Sequence, residues 1–180
     1  FNNSTGVLTL SGTTTKALYE QTLESVTYQN TSDNPSTSAR TITWQVNDGS
    51  GANNLSSAVT STVTVAAVND APVVSGAGAT LAYTENASAT VIDADLTLSD
   101  VDSNNLTGAT VTISGNFQSG GEDVLAFTAA SGSNITGSFN NSTGVLTLSG
   151  TTTKALYEQT LESVTYQNTS DNPSTSARTI

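Results

Sequence analysis

The chemistry that this sequence can support is concentrated in one loop of oxygen-bearing side chains. Asp100, Asp102 and Asn104 alternate along residues 99–105, the densest cluster of such side chains in the chain. Carboxylate and amide oxygens are the ligands that calcium takes in proteins. The chain has no cysteine, methionine or histidine, which excludes thiol and imidazole catalysis, disulfides and the usual zinc ligands. Calcium is therefore the metal that these residues predict.

This loop cannot enclose a calcium ion by itself. Asp100, Asp102 and Asn104 match the first three ligand positions of a helix-loop-helix calcium loop, whose sixth position needs glycine and whose twelfth needs glutamate. Here those two positions hold Asn105 and Val111. The residues around Val111 predict a strand and not an exiting helix. We therefore expect the loop to share an ion with ligands from elsewhere.

A second set of oxygen ligands lies in a stiff joint, residues 68–72. Pro72 fixes its own φ angle and pushes Ala71 towards extended conformations, so that the joint behaves as a short rod. Asn69 and Asp70 then hold oxygen atoms at a fixed place between two folded segments. This arrangement predicts a junction that a bound calcium ion would stiffen.

Three further carboxylates are candidate ligands. Asp48 lies in residues 47–51, where Asp-Gly predicts a hairpin turn and the acidic side chain allows a calcium loop. Glu85 stands at the end of a predicted strand. Asp123 follows a glycine-rich stretch that is similar to calcium-binding nonapeptides but occurs once per repeat. Two interpretations of this stretch stay open: a turn that enters a strand, and an ion site.

Short strands must position these loops. The chain is 35% hydrophobic and is otherwise dominated by Ser, Thr, Asn and Gly, a composition that indicates many strands and turns. One short helix is predicted through Ser25, capped within residues 13–15, with Tyr19 and Leu23 on its apolar stripe. Lys16 at its start is expected to be solvated. The predicted class is all-β, with strands at residues 6–10, 26–29, 41–46, 61–65, 80–83, 94–98 and 110–113.

The sequence also contains a long repeat. Residues 139–180 (copy 2) reproduce residues 1–42 (copy 1) without a change. The offset of 138 residues (139 − 1) is a usual domain size, and identical copies predict a tandem array of domains rather than an enzyme with one specialised site. The expected segments are the C-terminal part of one repeat (1–67), the joint (68–72) and the N-terminal part of the next repeat without its last two strands (73–180).

Charge and hydropathy exclude several functions. The net charge is −11, and every charged residue from Asp48 to Asp123 is acidic, which disfavours nucleic acids and anionic membranes as partners. No apolar run approaches the roughly 18 residues of a membrane-spanning helix. Asp93 and Asp95 could be read as a glycosidase dyad, but residues two apart on a strand merely share a face. We expect no enzymatic activity.

Together, these motifs resemble a known calcium signature. The combination of Glu85-Asn86, Asp100-Val101-Asp102, Asp48 and Asn69-Asp70-Ala71-Pro72 resembles that of cadherin repeats. Residues 6–72 are similar to the tandem cadherin-like extender repeats of giant bacterial repeats-in-toxin (RTX) adhesins. The resemblance implies an Ig-like Greek-key β-sandwich with calcium between successive domains. Residues 18–21 depart from the Leu-Asp-Arg-Glu ligand motif of cadherins, so fewer ions per joint are expected. The implied ligands are Asn69, Asp70, Asp100, Asp102 and Asn104 for the joint in this chain, Asp48 for the joint before and Glu85 for the joint after.

The function that this resemblance implies is mechanical. The chain would be a structural extender, or spacer, of a secreted adhesin on a bacterial cell surface, and calcium would hold its joints rigid. The alternative is a calcium-dependent ligand-binding domain, lectin-like or homophilic. The expected partners are neighbouring repeats of the same chain. Because residues 73–180 lack a counterpart of residues 43–67, a neighbouring molecule is expected to supply those strands in a head-to-tail arrangement.

Overall fold

Ten strands and two short helices make up the chain in the computed structural model, which describes residues 1–180. In chain order the elements are α1 (Lys16–Glu24), β1 (Arg40–Trp44), β2 (Val59–Val63), β3 (Val73–Ser75), β4 (Thr90–Val91), β5 (Thr97–Ser99), β6 (Asn105–Thr112), β7 (Asp123–Ala126), β8 (Thr136–Asn140), β9 (Val145–Thr153), α2 (Lys154–Glu162) and β10 (Thr165–Asn168).

The hydrophobic core lies among residues that follow the joint, between two antiparallel three-stranded sheets. One sheet has the order β4-β10-β7 and the other the order β6-β9-β8. Successive side chains of a strand point to opposite faces, so Leu146 and Leu148 of β9 are buried while Thr147 is exposed. Leu125 of β7 and Tyr166 of β10 join them in the same core from the other sheet. The predicted all-β sandwich is confirmed.

The two helices have the same sequence and the same caps. Thr15 caps α1 and Thr153 caps α2, and each side chain accepts a hydrogen bond at 3.4 Å from the N–H three residues later, which satisfies one free donor of the first turn. The helix predicted from this pattern is confirmed in both copies. Helix α2 buries Tyr157 and Leu161 in the core, whereas α1 buries no residue. Neither helix has the length and apolar character needed to cross a membrane.

Strands β1 and β2 form a separate hairpin before the joint. Their register runs from Arg40 opposite Val63 to Trp44 opposite Val59, and neither strand pairs with the sheets of residues 73–180. After the joint, β3 pairs antiparallel with β5, so that Val73 lies opposite Ser99. This pairing places the acidic loop after β5 next to the joint before β3.

Three predicted strands do not form, and the strand predicted at residues 94–98 is limited to β5, Thr97–Ser99. Residues 6–10 of copy 1 contribute only an isolated bridge between Asn2 and Val7, and residues 26–29 form no strand. Their counterparts in copy 2 belong to β9 and β10, because there β6, β7 and β8 supply partner strands. Residues 80–83 also form no strand, although Leu81 and Tyr83 pack against the core. Burial of alternate side chains in that segment therefore occurs without a hydrogen-bonded ladder.

Candidate calcium-binding joint

A hydrogen bond joins the two segments on either side of the joint. The N–H of Asp70 donates to Asp102 Oδ2 at 2.9 Å. Asn34 Nδ2 donates to the Val101 carbonyl at 3.3 Å, so a loop of the first segment also touches the acidic loop. Asn69 lies beside them, and its Nδ2 donates to the Asp70 carbonyl at 2.6 Å. The structure thus brings Asp70 of the joint next to Asp102 of the acidic loop, and the assignment of these residues as calcium ligands stays a prediction.

Backbone N–H groups shape the acidic loop itself. Asp100 Oδ1 accepts hydrogen bonds from the N–H of Ser103 at 2.8 Å and from that of Asp102 at 3.1 Å. The bond from Ser103 is the main cause that holds the pKa of Asp100 below its usual value, against the opposing effect of burial. Asp100 is therefore ionised at neutral pH, which is the state that a calcium ligand requires.

Lys154 fastens the acidic loop to α2. Its Nζ donates to the Asp100 carbonyl, and its backbone N–H donates to the Asn104 carbonyl at 3.0 Å. The side chain of Asn104, a predicted ligand, belongs to an exposed residue. The expectation of a solvated lysine is wrong for Lys154, which is half-buried, although its copy 1 counterpart Lys16 is exposed. The lysine thus connects the predicted ligand loop to the helix that packs on the core.

An unpaired carboxylate oxygen lies at the joint. Asp102 uses Oδ2 to accept the bond from Asp70, while its Oδ1 is buried and has no hydrogen-bond partner. A buried anionic oxygen without a partner is unfavourable, and a cation would satisfy it. The carboxylate and amide oxygens of the joint and of the acidic loop are of the type that calcium takes. The structure contains no group of three or more carboxylates placed to hold a metal ion, so an ion there would have to draw the side chains closer.

Sequence reasoning missed one acidic residue at the joint. A groove there is lined by Asp33, Asp70, Ala71, Val73 and Val101. Asp33 belongs to the same loop as the donor to the Val101 carbonyl, far from Asp70 along the chain. The turn-forming run Ser-Asp-Asn-Pro around it predicts a loop, but no local motif assigns that loop to the joint.

Asp48 and Glu85 lie away from this joint. Asp48 Oδ1 accepts a hydrogen bond from the N–H of Ser50 at 2.9 Å inside the connection between β1 and β2, and this bond lowers the pKa of Asp48. Glu85 follows Tyr83, whose hydroxyl donates to the Asn168 carbonyl at 3.5 Å. Residues 168–172 repeat residues 30–34, the loop that touches Val101. The side chain of Glu85 accepts a hydrogen bond only from Asn86 Nδ2, at 3.4 Å, and both assignments to other joints stay predictions.

Asp123 is a structural ion-pair residue. It is fully buried, and Arg178 contacts its Oδ2 through Nε at 3.1 Å and its Oδ1 through Nη2 at 3.2 Å. Tyr166 Oη and Asn168 Nδ2 donate to Oδ1 at 2.6 and 2.7 Å, and the N–H of Gln118 donates to Oδ2 at 2.8 Å. Burial alone would raise the pKa of Asp123, but these donors outweigh it and lower the pKa. Both oxygens are saturated by protein donors, which contradicts the expectation of an ion site there; the stretch is a turn entering β7.

Comparison with known proteins relates the chain to a much longer one. It is 40% identical over 92 residues to halomucin from Haloquadratum walsbyi (strain DSM 16790 / HBSQ001). The aligned part is 49% of this chain and 1% of halomucin. No family model and no solved structure matches the chain. The similarity is compatible with a structural role at the cell surface.

Proposed function

We propose that the chain is a structural extender of a secreted cell-surface adhesin, non-enzymatic, in which calcium stiffens the joint between successive repeats. The observation that carries this proposal is the side chain of Asp102. One of its oxygens bonds to Asp70 across the joint, and the other is buried without a partner. The identity of copy 1 and copy 2 and the similarity to a short part of halomucin support a place in a long repetitive protein.

The proposed ligands lie in the joint and in the acidic loop, and an ion would have to draw them together around this oxygen. Asp70, Asp100 and Asp102 supply carboxylates, and Asn69 and Asp33 lie beside them. Calcium would supply positive charge between carboxylates that repel one another in its absence. It would also add a further link to the Asp70–Asp102 and Asn34–Val101 hydrogen bonds, and each added link between the same segments restricts bending further.

The expected affinity is modest. Extracellular calcium modules have dissociation constants of about 10⁻⁴ to 10⁻³ M. Calcium at about 100 times its dissociation constant stabilises the binding state by about 2.7 kcal/mol. Such a site would respond to the calcium level outside a cell. The strands of residues 73–180 pack on a core of their own, so we expect the fold to persist without the ion.

Small-angle X-ray scattering of an array of several repeats tests the proposal. The maximum dimension should fall clearly when a chelator replaces calcium, because each joint then bends more freely. Far-ultraviolet circular dichroism of the same samples should keep its β spectrum. An array that has the same maximum dimension with and without calcium would contradict the proposed stiffening.

A further inference from the structure

The position of strand β5 decides how the two sets of proposed calcium ligands lie relative to each other. Strand β5 leads through Ser99 into the acidic loop, and its only strand partner, β3, begins at Val73 directly after the joint. The ladder places Val73 opposite Ser99, so both ligand sets depend on β5. This ladder is short and has no third strand. Two paired strands of this kind are marginal in water unless a helix or a core packs on them.

Helix α2 packs against β5, which has no second strand partner. The N–H of Leu98 donates to Glu158 Oε2 at 2.7 Å, while the Leu98 side chain packs against the core. A backbone N–H that is shielded from water needs an acceptor, and a carboxylate is a strong one. Glu158 therefore takes the place of a neighbouring strand, two residues before Asp100.

The same helix also holds the acidic loop further along the chain. Lys154 lies four residues before Glu158 and therefore on the same face of α2. Its Nζ donates to the Asp100 carbonyl, and its backbone N–H donates to the Asn104 carbonyl at 3.0 Å. The loop is thus fixed to α2 at its entrance through Glu158 and at its exit through Lys154.

We propose that Glu158 is a positioning residue for the calcium ligands, and that α2 thereby sets the calcium affinity of the joint. An ion at Asp102 has to draw side chains together, and this costs less when the backbone that carries them is already fixed. Partners that hold metal ligands in place typically change metal affinity about 10- to 100-fold when they are replaced. The inference rests on the proposed function, because it concerns the same calcium site.

Two substitutions separate the reach of Glu158 from its charge. Glu158→Gln removes the charge and keeps an acceptor oxygen at the same distance from the backbone. Glu158→Asp keeps the charge, but its side chain is one carbon shorter and its oxygens no longer reach the Leu98 N–H. Glu158→Asp should therefore weaken calcium binding about tenfold, and Glu158→Gln less than about threefold. The reverse order would mean that the charge attracts the ion, which overturns the positioning role.

A matched control is available in copy 1. Glu20 of α1 is the counterpart of Glu158, and it is exposed whereas Glu158 is half-buried. Glu20→Asp makes the same chemical change on a helix of the same sequence. It should leave the calcium affinity of the joint at the parent value.

Nuclear magnetic resonance of the 180-residue chain measures both the affinity and the state of the loop. The amide shifts of Asp102 and Ser103 during a calcium titration report on folded molecules, so a variant that is only less stable keeps the parent affinity. Without calcium, hydrogen exchange of the Leu98 and Ser103 N–H groups should be several-fold faster in Glu158→Asp than in Glu158→Gln.

The outcomes distinguish this inference from the proposed function. If Glu158→Asp bound calcium as tightly as the parent chain, or if Glu158→Gln bound it as weakly as Glu158→Asp, the positioning role would be overturned while the calcium site remained. If the loop amides of the parent chain did not respond to calcium, the proposed function itself would fail, and this inference with it.

Discussion

Removing the guanidinium of Arg178 should destabilise residues 73–180 by about 4 kcal/mol. Arg178→Ala deletes both contacts to Asp123, a residue whose side chain is 0% exposed. Breaking a buried ion pair from one side costs about 3–5 kcal/mol, because the remaining charge stays buried. Tyr166, Asn168 and Gln118 would still donate to Asp123. The loss of the ion pair should therefore cost about 3 kcal/mol, the low end of this range. The two loop carbonyl contacts of Nη1 add about 1 kcal/mol together.

The repeat supplies a control with the same local sequence. Arg40→Ala deletes the equivalent loop contacts but no ion pair, so its effect should be about 1 kcal/mol or less. With a urea slope of about 1.5 kcal/mol/M, the unfolding midpoint should fall by roughly 2.7 M for Arg178→Ala and by less than about 0.7 M for Arg40→Ala. Near-ultraviolet dichroism of the buried tyrosines follows the unfolding of residues 73–180. Equal shifts for the two variants would refute the assignment of the ion pair as a stabilising contact.

The ion pair between Asp123 and Arg178 also predicts that the free energy of unfolding declines at acidic pH. The pKa of Asp123 is lower in the folded chain than its ordinary value, which is about 3.9 for an unfolded chain. The stability that the Asp123 carboxylate contributes is therefore fully present at pH values above its pKa in the unfolded chain. It is lost as the pH falls through its lower pKa in the folded chain. Asp123→Asn should be less stable at pH 7 and should show a flatter decline on acidification. If urea titrations showed the same decline in the free energy of unfolding for Asp123→Asn as for the parent chain, other carboxylates would cause that decline.

Two further predictions concern the joint and its attachment. Replacing Asp100 and Asp102 together by Ala should weaken calcium binding by at least about tenfold in titration calorimetry. The control Glu20→Ala/Glu24→Ala removes the same charge from the exposed face of α1 and should leave the calcium affinity unchanged. If the Asp100/Asp102 variant bound as many ions as the parent chain, the ligands would be misassigned. Lys154→Ala should lower the free energy of unfolding by about 1–2 kcal/mol, because it deletes a charged donor to the Asp100 carbonyl. Lys16→Ala should have no measurable effect in chemical denaturation. Equal losses of stability for the two variants would contradict the role of Lys154 in holding the loop.

The features that the sequence predicts well are those set by neighbouring residues. The helix is correct in both copies because the cap at Thr15 or Thr153 and the first-turn N–H groups lie three residues apart. The cap needs no knowledge of distant segments. The contact of Asp70 with Asp102 joins residues 32 positions apart, and the sequence relates the two through the resemblance to cadherin repeats.

The features that the sequence predicts poorly depend on segments that are far apart along the chain. Residues 6–10 have the same alternating pattern as their counterparts in β9, but a pattern supplies no partner strand. The sequence leaves both a turn and an ion site open at Asp123, because nothing local indicates that Arg178 and Tyr166 surround it. Asp33 reaches the joint through the fold alone. In each case the missing information is which element lies opposite, and this is decided by packing.

The short ladder between β3 and β5 has a mechanical consequence. Strand β3 spans only Val73–Ser75 and pairs with three residues of β5, immediately after the joint. In an array of the proposed kind, tension would enter each repeat at this strand, and the antiparallel ladder would oppose it with few hydrogen bonds. The contact of Asp70 with Asp102 bypasses β3, because it ties the joint directly to the loop that Lys154 anchors on α2. An ion bound at Asp102 would strengthen this parallel path, so the force at which a repeat begins to yield would rise with the calcium concentration of the medium.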